Sequence, residues 1–507
     1  MKTVLISSKA AGKADVFFMG AFKKEGVLKQ ARKAEPAFIR LIEAATKKEK
    51  FSAREQETFS SFQPSYRQAA EAVVIGLGDK KGLKPVTLRK VVGRIVDLAS
   101  AKKAKKIRVL LGSFLSDPSD VNNVAAIFAE VAILASYRFF CYKTKKKEDL
   151  PAFPATLELV CETKEQVAEL RSVIARAETV AKAVIFARDL NNEPGNVMSP
   201  PRLVEEARKL AKEKKLACTV LGVPELKRMG MNGILAVGRG SVTPSALIIL
   251  EHGTNYKGNG TVCLVGKGVT FDTGGISIKP SKNMEEMKYD KSAAISVIAT
   301  MRLVADLKLP LHIVGLMPCV ENNVANDPQR PGDIIKMYNG KTVEVINTDA
   351  EGRLILADAL AYCAKYKPVA ILDAATLTGL CQYTFGDKAC GILGTDQKLI
   401  DAVREAGEKV GERCWQLPLW DEYGDAIKGE HSDINNTGDG YAGTITATMF
   451  LKEFVPAKVP WVHLDIAGTA YAAKKKYDCP KGATGFGVKL FAEVLSNWSQ
   501  ESCSKSV

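Results

Sequence analysis

Short apolar runs alternate with helix-period segments across residues 195–500, and this alternation constrains the fold more than any other feature of the chain. The runs are Ala246–Leu250, Val262–Val265, Ile313–Leu316, Val343–Ile346, Val369–Leu372 and Val462–Leu464. Helical patterns fill about 201–215, 291–307, 353–366, 396–410 and 444–455. Continuously apolar strands joined through helices form a mostly parallel sheet covered on both faces. The first 150 residues repeat the theme: Ala72–Gly76 and Ile107–Leu111 read as buried strands, with helices near 86–101 and 121–137. Between these regions a long helix is expected over 163–190, with Val167, Leu170, Val173 and Ile174 at helical spacing. It should stop before the turn-forming cluster Asn191-Asn192-Glu193-Pro194-Gly195.

The expected class is therefore α/β with two domains, each a central mostly parallel or mixed sheet flanked by helices, joined by a long helix. The expected divisions are an N-terminal α/β domain at 1–162, a linker helix at 163–190 and a catalytic domain at 191–507. The extended segment Leu150–Pro154 marks the approach to the first boundary. No run of about 18 apolar residues is present, which argues against a membrane-spanning helix. The apolar stretch Thr3–Ile6 is too short for a secretory leader core, and the final Ser-Lys-Ser-Val is not a peroxisomal address. Eleven cysteines, an odd number without a C-x-x-C pair, read as reduced thiols in a cytoplasmic protein.

Charge divides the chain. Residues 1–150 hold 30 of the 72 basic and 15 of the 57 acidic residues, so the whole net charge of +15 lies there. Lys102–Lys106 and Lys143–Lys147 are the densest clusters. Such a surface favours solubility and attracts polyanions. No aromatic or arginine pattern is interleaved with the lysines, so nucleic-acid binding has no specific support.

Polar residues gather after three of the strands. Gly266–Gly275 contains Lys267 and Asp272 and is followed by Lys279 and Asp290; Asn347–Arg353 contains Asp349, Glu351 and Arg353; Asp373–Gly379 contains Thr376. Asp272, Asp290, Asp349 and Glu351 are expected at one edge of the sheet. Four carboxylates this close repel one another unless cations sit between them. Two divalent metals about 3.5–4 Å apart would balance them and suit hydrolysis. Oxygen donors fit zinc, manganese or magnesium without choosing among them. Individually, Asp349 and Glu351 also suit a helix start. Lys267 among glycines lacks the Ser or Thr of a phosphate loop, because Gly268 follows it. The four histidines, His252, His312, His431 and His463, form no H-E-x-x-H, and there is no G-x-S-x-G elbow. His463 reads as a core residue, and Cys363 and Cys381 as buried thiols.

At these motifs the sequence resembles the leucyl (cytosol) aminopeptidase family of metallopeptidases. The resemblance rests on Asn347-Thr348-Asp349-Ala350-Glu351-Gly352-Arg353-Leu354, on Gly266–Lys279 and on Met287-Lys288-Tyr289-Asp290. It extends to Ala442–Ala447, His463–Gly468 and Gly482–Val488, covering roughly 185–500. It implies a cytoplasmic enzyme that releases N-terminal residues, leucine and other apolar ones preferred, by two-metal hydrolysis with a metal-bound hydroxide nucleophile. By resemblance, Lys267, Asp272, Asp290 and Glu351 would hold one metal, and Asp272, Asp349 and Glu351 the other. The ions would be zinc or manganese, with cobalt and magnesium as further candidates. Lys279 would steady the oxyanion, and Arg353 would hold a bicarbonate that serves as general base. Met287, Thr376, Gly379, Ala467 and Ala470 would line the pocket for the first side chain. Partners would be peptide substrates and other copies of the chain in a homohexamer, a dimer of trimers; no membrane partner is implied. A two-metal amidase acting on non-peptides is the nearest competing reading. DNA binding through the basic 1–150 region, known in some relatives, is a second.

The sequence departs from the family pattern after Asp290, where Met-Gly-Gly or Met-Ser-Gly is usual and Lys291-Ser292-Ala293 stands here. Ala293 is expected to strain the backbone if its φ is positive. Lys291 is expected to alter substrate contacts or a subunit interface, with metal preference and rate affected.

Overall fold

The computed structural model describes residues 1–7, 13–23, 43, 47, 50–61, 69–144 and 150–498. Lys145–Lys147, Cys503 and the terminal Ser-Lys-Ser-Val lie outside the described residues. The chain divides into two compact units, one comprising 1–182 and 474–481, the other 183–473 and 482–507.

The first unit is built on six strands: β1 (Lys2–Ser7), β2 (Ala14–Ala21), β3 (Thr58–Ser61), β4 (Ala69–Gly76), β5 (Lys106–Leu110) and β6 (Thr156–Cys161). Their order is β1-β6-β5-β2-β4-β3. All neighbours run parallel except β3 against β4. The helix Pro85–Ala101 starts with a proline, which has no N–H to leave unbonded. It buries Leu88, Val91, Val92, Ile95, Val96 and Ala99, the stripe expected of a helix packed on a sheet. Arg89 on this helix pairs at 2.6 Å with Glu130 on the helix Val121–Ala135, both nearly buried. Removing one partner would strand a buried charge, which typically costs about 3–5 kcal/mol. The return of residues 474–481 to this unit has no counterpart in the sequence pattern. Tyr477 packs so closely on Gly93 that a Cβ there would meet the Tyr477 carbonyl at 2.2 Å.

The second unit carries the nine-stranded sheet: β7 (Ala217–Leu221), β8 (Ala246–His252), β9 (Thr261–Gly266), β10 (Gly268–Asp272), β11 (His312–Asn322), β14 (Ala370–Ala375), β15 (Cys390–Gly394), β16 (Cys414–Gln416) and β18 (Trp461–Asp465). The order is β16-β15-β18-β14-β9-β11-β8-β7, with β10 also on β11. The central run β18-β14-β9-β11 is parallel, and antiparallel pairs flank it at β15–β18, β11–β8 and β8–β7. Helices Ser292–Asp306 and Glu351–Tyr362 are buried almost all round. Helix Gln397–Val410 is amphipathic: Asp396 accepts the Leu399 N–H at its start, Leu399, Ile400 and Val403 face inward, and Gly411 ends it at φ 76°.

Two expectations need correction here. The run Val343–Ile346 is not in the main sheet. Residues Thr342–Glu344 form β13 of a separate three-stranded sheet with β12 (Ile334–Lys336) and β17 (Ile434–Asn435). An apolar run shows that a segment is buried but not which sheet pairs with it; Val343 and Val345 reach the core from this small sheet. The long helix also extends to Asn192, so Asn191 and Asn192 close its last turn instead of forming the turn after it.

Among the described residues no helix is long and apolar enough to cross a membrane. The ten described cysteines are free thiols, and Cys363 and Cys381 are buried as expected.

Candidate active site

A single interruption in the sheet creates the centre of the site. β9 pairs with the first half of β11, and β10, which apolar periodicity does not predict, pairs with the second half. Lys267 sits at the break, its N–H bonded to the Ala374 carbonyl of β14 at 3.1 Å. Its buried ammonium reaches Glu351 at 2.7 Å, Asp290 at 2.9 Å and the Thr376 carbonyl at 2.9 Å. Gly352 permits this approach, since a Cβ there would stand 2.8 Å from the end of the Lys267 side chain.

The other residues arrive from separate elements. Asp272 ends β10, and its Oδ1 accepts the Gly274 N–H at 2.9 Å and the Asn322 amide at 2.8 Å. Asp290 lies in the 3₁₀ segment Met284–Lys291, and its Oδ1 accepts the Thr376 hydroxyl at 2.7 Å. Asp349 sits in the loop ahead of helix Glu351–Tyr362, and Glu351 is the first residue of that helix. Lys279 reaches Asp272 at 2.8 Å and also pairs with Asp349. The loop carrying Lys279 turns through Gly274 and Gly275, at φ 88° and 69°, a region that favours glycine. The structure thus brings Lys267, Asp272, Lys279, Asp290, Asp349 and Glu351 into one cluster. The carboxylates come from four different elements: a strand end, a 3₁₀ segment, a loop and a helix start.

The charges are unbalanced. Burial, with the neighbouring Asp272 and Glu351 carboxylates, pushes Asp349 up to about 7. Burial and Asp272 likewise push Glu351 up to about 7, and burial raises Asp290. Burial alone would lower both lysines, but the carboxylates outweigh it and raise them. Buried Oδ2 of Asp290, Oδ1 of Asp349 and Oε1 of Glu351 have lysine ammoniums as their neighbours and no further donor from the rest of the protein. Oxygens of Asp272, Asp290 and Glu351 lie within 4.8 Å of one another. This all-oxygen, anion-rich donor set fits a hard divalent cation.

Arg353 follows on the same helix. Its Nη1 donates to the Asn436 carbonyl at 2.7 Å, while its buried Nε donates to nothing. Burial lowers it to about 10, so it remains a cation at neutral pH. Of the expected pocket residues, Gly379 is open, with nothing within 4 Å of where a Cβ would stand. Met287, Thr376 and Ala467 are half-buried, and Ala470 is closed off at 1% exposure. His463 is a core residue, bonded through Nδ1 to Asp373 at 2.6 Å.

Sequence reasoning missed Asn322, which orients Asp272 and also reaches the Thr348 carbonyl. It also missed Asn436, whose side-chain amide N–H donates to the Asn347 carbonyl and whose Oδ1 accepts the Ile346 N–H. Neither lies in a motif string; only the fold brings them near.

The departure at 291–293 takes a different form from the one expected. Ala293 is in the first turn of helix Ser292–Asp306 and is not among the positive-φ residues, so its methyl carries no backbone strain. Lys291 is wholly buried, away from the surface, and donates to the carbonyls of Glu193 and Lys288. Burial and Lys288 lower it to about 7.

Residues 185–492 match the catalytic domain of the cytosol aminopeptidase family, and residues 18–146 match its N-terminal domain. A "Probable cytosol aminopeptidase" from Geobacter sp. (strain M21) is 44% identical over 428 residues, covering 84% of this chain and 86% of that relative. Another of the same name from Syntrophotalea carbinolica is 39% identical over 483 residues, covering 95% and 97%. Among solved structures, the bottromycin maturation enzyme BotP in complex with Mn superposes with TM-score 0.82 at 32% identity, covering 95% of this chain and 99% of that one.

Proposed function

The chain belongs to the cytosol aminopeptidase family, metal-dependent peptide hydrolases, and on that premise we propose that it releases leucine and other apolar N-terminal residues using two divalent metal ions per subunit. The observation that carries this reading is the cluster of four carboxylates facing only two lysines, with oxygens of Asp272, Asp290 and Glu351 within 4.8 Å of one another. Lys267, deprotonated by the ion it would face, would hold one ion with Asp272, Asp290 and Glu351, and Asp272, Asp349 and Glu351 would hold the other. Zinc and manganese fit this donor set, and cobalt and magnesium are further candidates. Arg353 would hold a bicarbonate, with its Nε–H free for an anion. When bound, these groups supply Lewis-acid polarisation of the scissile carbonyl, a water of lowered pKa and a proton acceptor.

The chain's own residues do the rest. Asn322 and Gly274 fix Asp272, and Thr376 fixes Asp290, so the donors are oriented before a ligand arrives. Lys279 keeps its charge beside Asp272 and Asp349, where it stabilises negative charge developing on the substrate oxygen. Met287, Thr376, Gly379 and Ala467 offer small or apolar surface to the first side chain.

The 163–190 helix is proposed as the linker between N-terminal and catalytic parts, and homohexamer assembly and a cytoplasmic location follow the family resemblance. DNA binding has less support, because Lys102 and Lys106 pair with Glu71 and Glu158 at 2.7 and 3.5 Å.

The test is leucine-amide hydrolysis with zinc, manganese or cobalt, before and after chelation, with Asp349→Ala and an N-acetylated substrate alongside. Metal-dependent release of leucine, lost in the variant and blocked by acetylation, is expected. Equal cleavage of the acetylated substrate would favour a non-peptide amidase.

A further inference from the structure

Two loops carry four of the five residues assigned to the pocket: 376–379 follows β14, and 467–470 follows β18. β14 and β18 are parallel neighbours, with Ala375 opposite Asp465. Asp465 is wholly buried at the end of β18 and bonds to both loops. Its Oδ1 accepts the Leu377 and Ala467 N–H groups, each at 3.2 Å, and its Oδ2 accepts the Thr378 hydroxyl at 2.6 Å. The Thr378 oxygen in turn contacts the Thr444 hydroxyl at 2.8 Å and accepts the Cys381 N–H at 3.2 Å, which starts helix Gly379–Phe385. Thr376, one residue before Leu377, bonds Asp290 through its hydroxyl and Lys267 through its carbonyl. One carboxylate therefore fixes the spacing of both pocket loops, and one of those loops touches the metal cluster.

We propose that Asp465 is the positioning residue for side-chain selection: by tying loop 376–379 to loop 467–470 it sets the width of the first-residue pocket, and so the preference for leucine over smaller residues. This rests on the leucine-selective reading above. The physical argument is that a pocket discriminates by shape only when its walls are held in place. On that reading a leucine side chain would fill the space between the loops, whereas an alanine methyl would barely enter it. Loosening the tie should cost leucine binding and leave alanine turnover nearly intact.

Asp465→Asn keeps the size and removes the charge; its amide can still hold some of the three donors. The experiment compares leucine amide and alanine amide on metal-loaded enzyme, with metal content and melting temperature measured in parallel. Hydrophobic pockets separate side chains differing by a methylene by about 10–200-fold, so the leucine-to-alanine ratio of kcat/KM is expected to fall by about tenfold in Asp465→Asn. The fall should come mainly from KM for leucine amide, with metal content unchanged and alanine kcat within about threefold. Thr378→Val, which removes one of the three bonds and leaves the carboxylate, should move the ratio the same way by less. It decides the question if Asp465→Asn does not fold. A folded variant that keeps the wild-type ratio, or one in which both substrates fall in proportion, overturns the proposal. If wild-type enzyme shows no leucine preference, the substrate reading falls and this inference with it. If wild type shows the preference and the folded variants keep it, only the role of Asp465 falls.

Discussion

Lys267 and Lys279 face the same carboxylates from opposite conditions. Lys267 stands in a break between two buried strands, its side chain 4% exposed, held by Asp290, Glu351 and a backbone carbonyl. Lys279 stands on a glycine-hinged loop, its side chain 21% exposed, paired with Asp272 and Asp349. One lysine is part of the fixed frame; the other, more exposed on its loop, is the one proposed to meet the substrate oxygen. Similar residues near similar charges thus suit different tasks, because burial and backbone anchoring differ.

The largest expected effect comes from removing the framed lysine. Lys267→Met should abolish measurable leucine-amide hydrolysis, because it alters both the donor set and the Thr376 contact. Lys279→Met should lower kcat by about 10²–10³-fold with KM little changed, the usual loss for one oxyanion donor. Steady-state kinetics on both variants separates the two; equal effects on kcat and KM in both would erase the distinction.

Next in size is the frame itself. Gly352→Ala places a methyl 2.8 Å from the Lys267 ammonium. It should reduce activity about 10–100-fold, as disturbed support around metal ligands does, while leaving the Lys279 side untouched. Manganese titration of the variant should show weakened binding. Chelation should then lower the melting temperature of the wild-type protein. Restoring metal at a hundred times its dissociation constant should return about 2.7 kcal/mol, measurable by scanning calorimetry.

The smallest effect is expected at Lys291. Lys291→Met leaves two carbonyls without this donor, a loss of about 1–3 kcal/mol offset in part by burying an apolar chain. Activity should stay within about threefold, because the ammonium is engaged by the Glu193 and Lys288 carbonyls. A large rate change would move Lys291 into the site.

Much of this was legible in the sequence for a physical reason. Strands β9, β14 and β18 and the helices near them announce themselves through local apolar pattern, and the charged strings after them carry the cluster. What was not legible depends on distant pairings. β10 exists because β11 is long enough to pair with two strands end to end. β13 is apolar like its neighbours but joins a different sheet. Asn322, Asn436 and Asp465 act through bonds that reach residues far away in the chain, such as Asp272, Asn347 and Thr378, which no spacing rule encodes. Lys291 read as a charge meeting substrate or a subunit interface because lysine is seldom buried, and only the fold shows it enclosed among backbone carbonyls.

The most direct test of the contrast is to count metal ions per chain in the wild type, Lys267→Met and Lys279→Met after equilibrium dialysis against manganese. The expected result is one ion fewer in the Lys267 variant and the wild-type number in the Lys279 variant. Equal metal loss in both, or full retention in both, would contradict the division of labour between the two lysines.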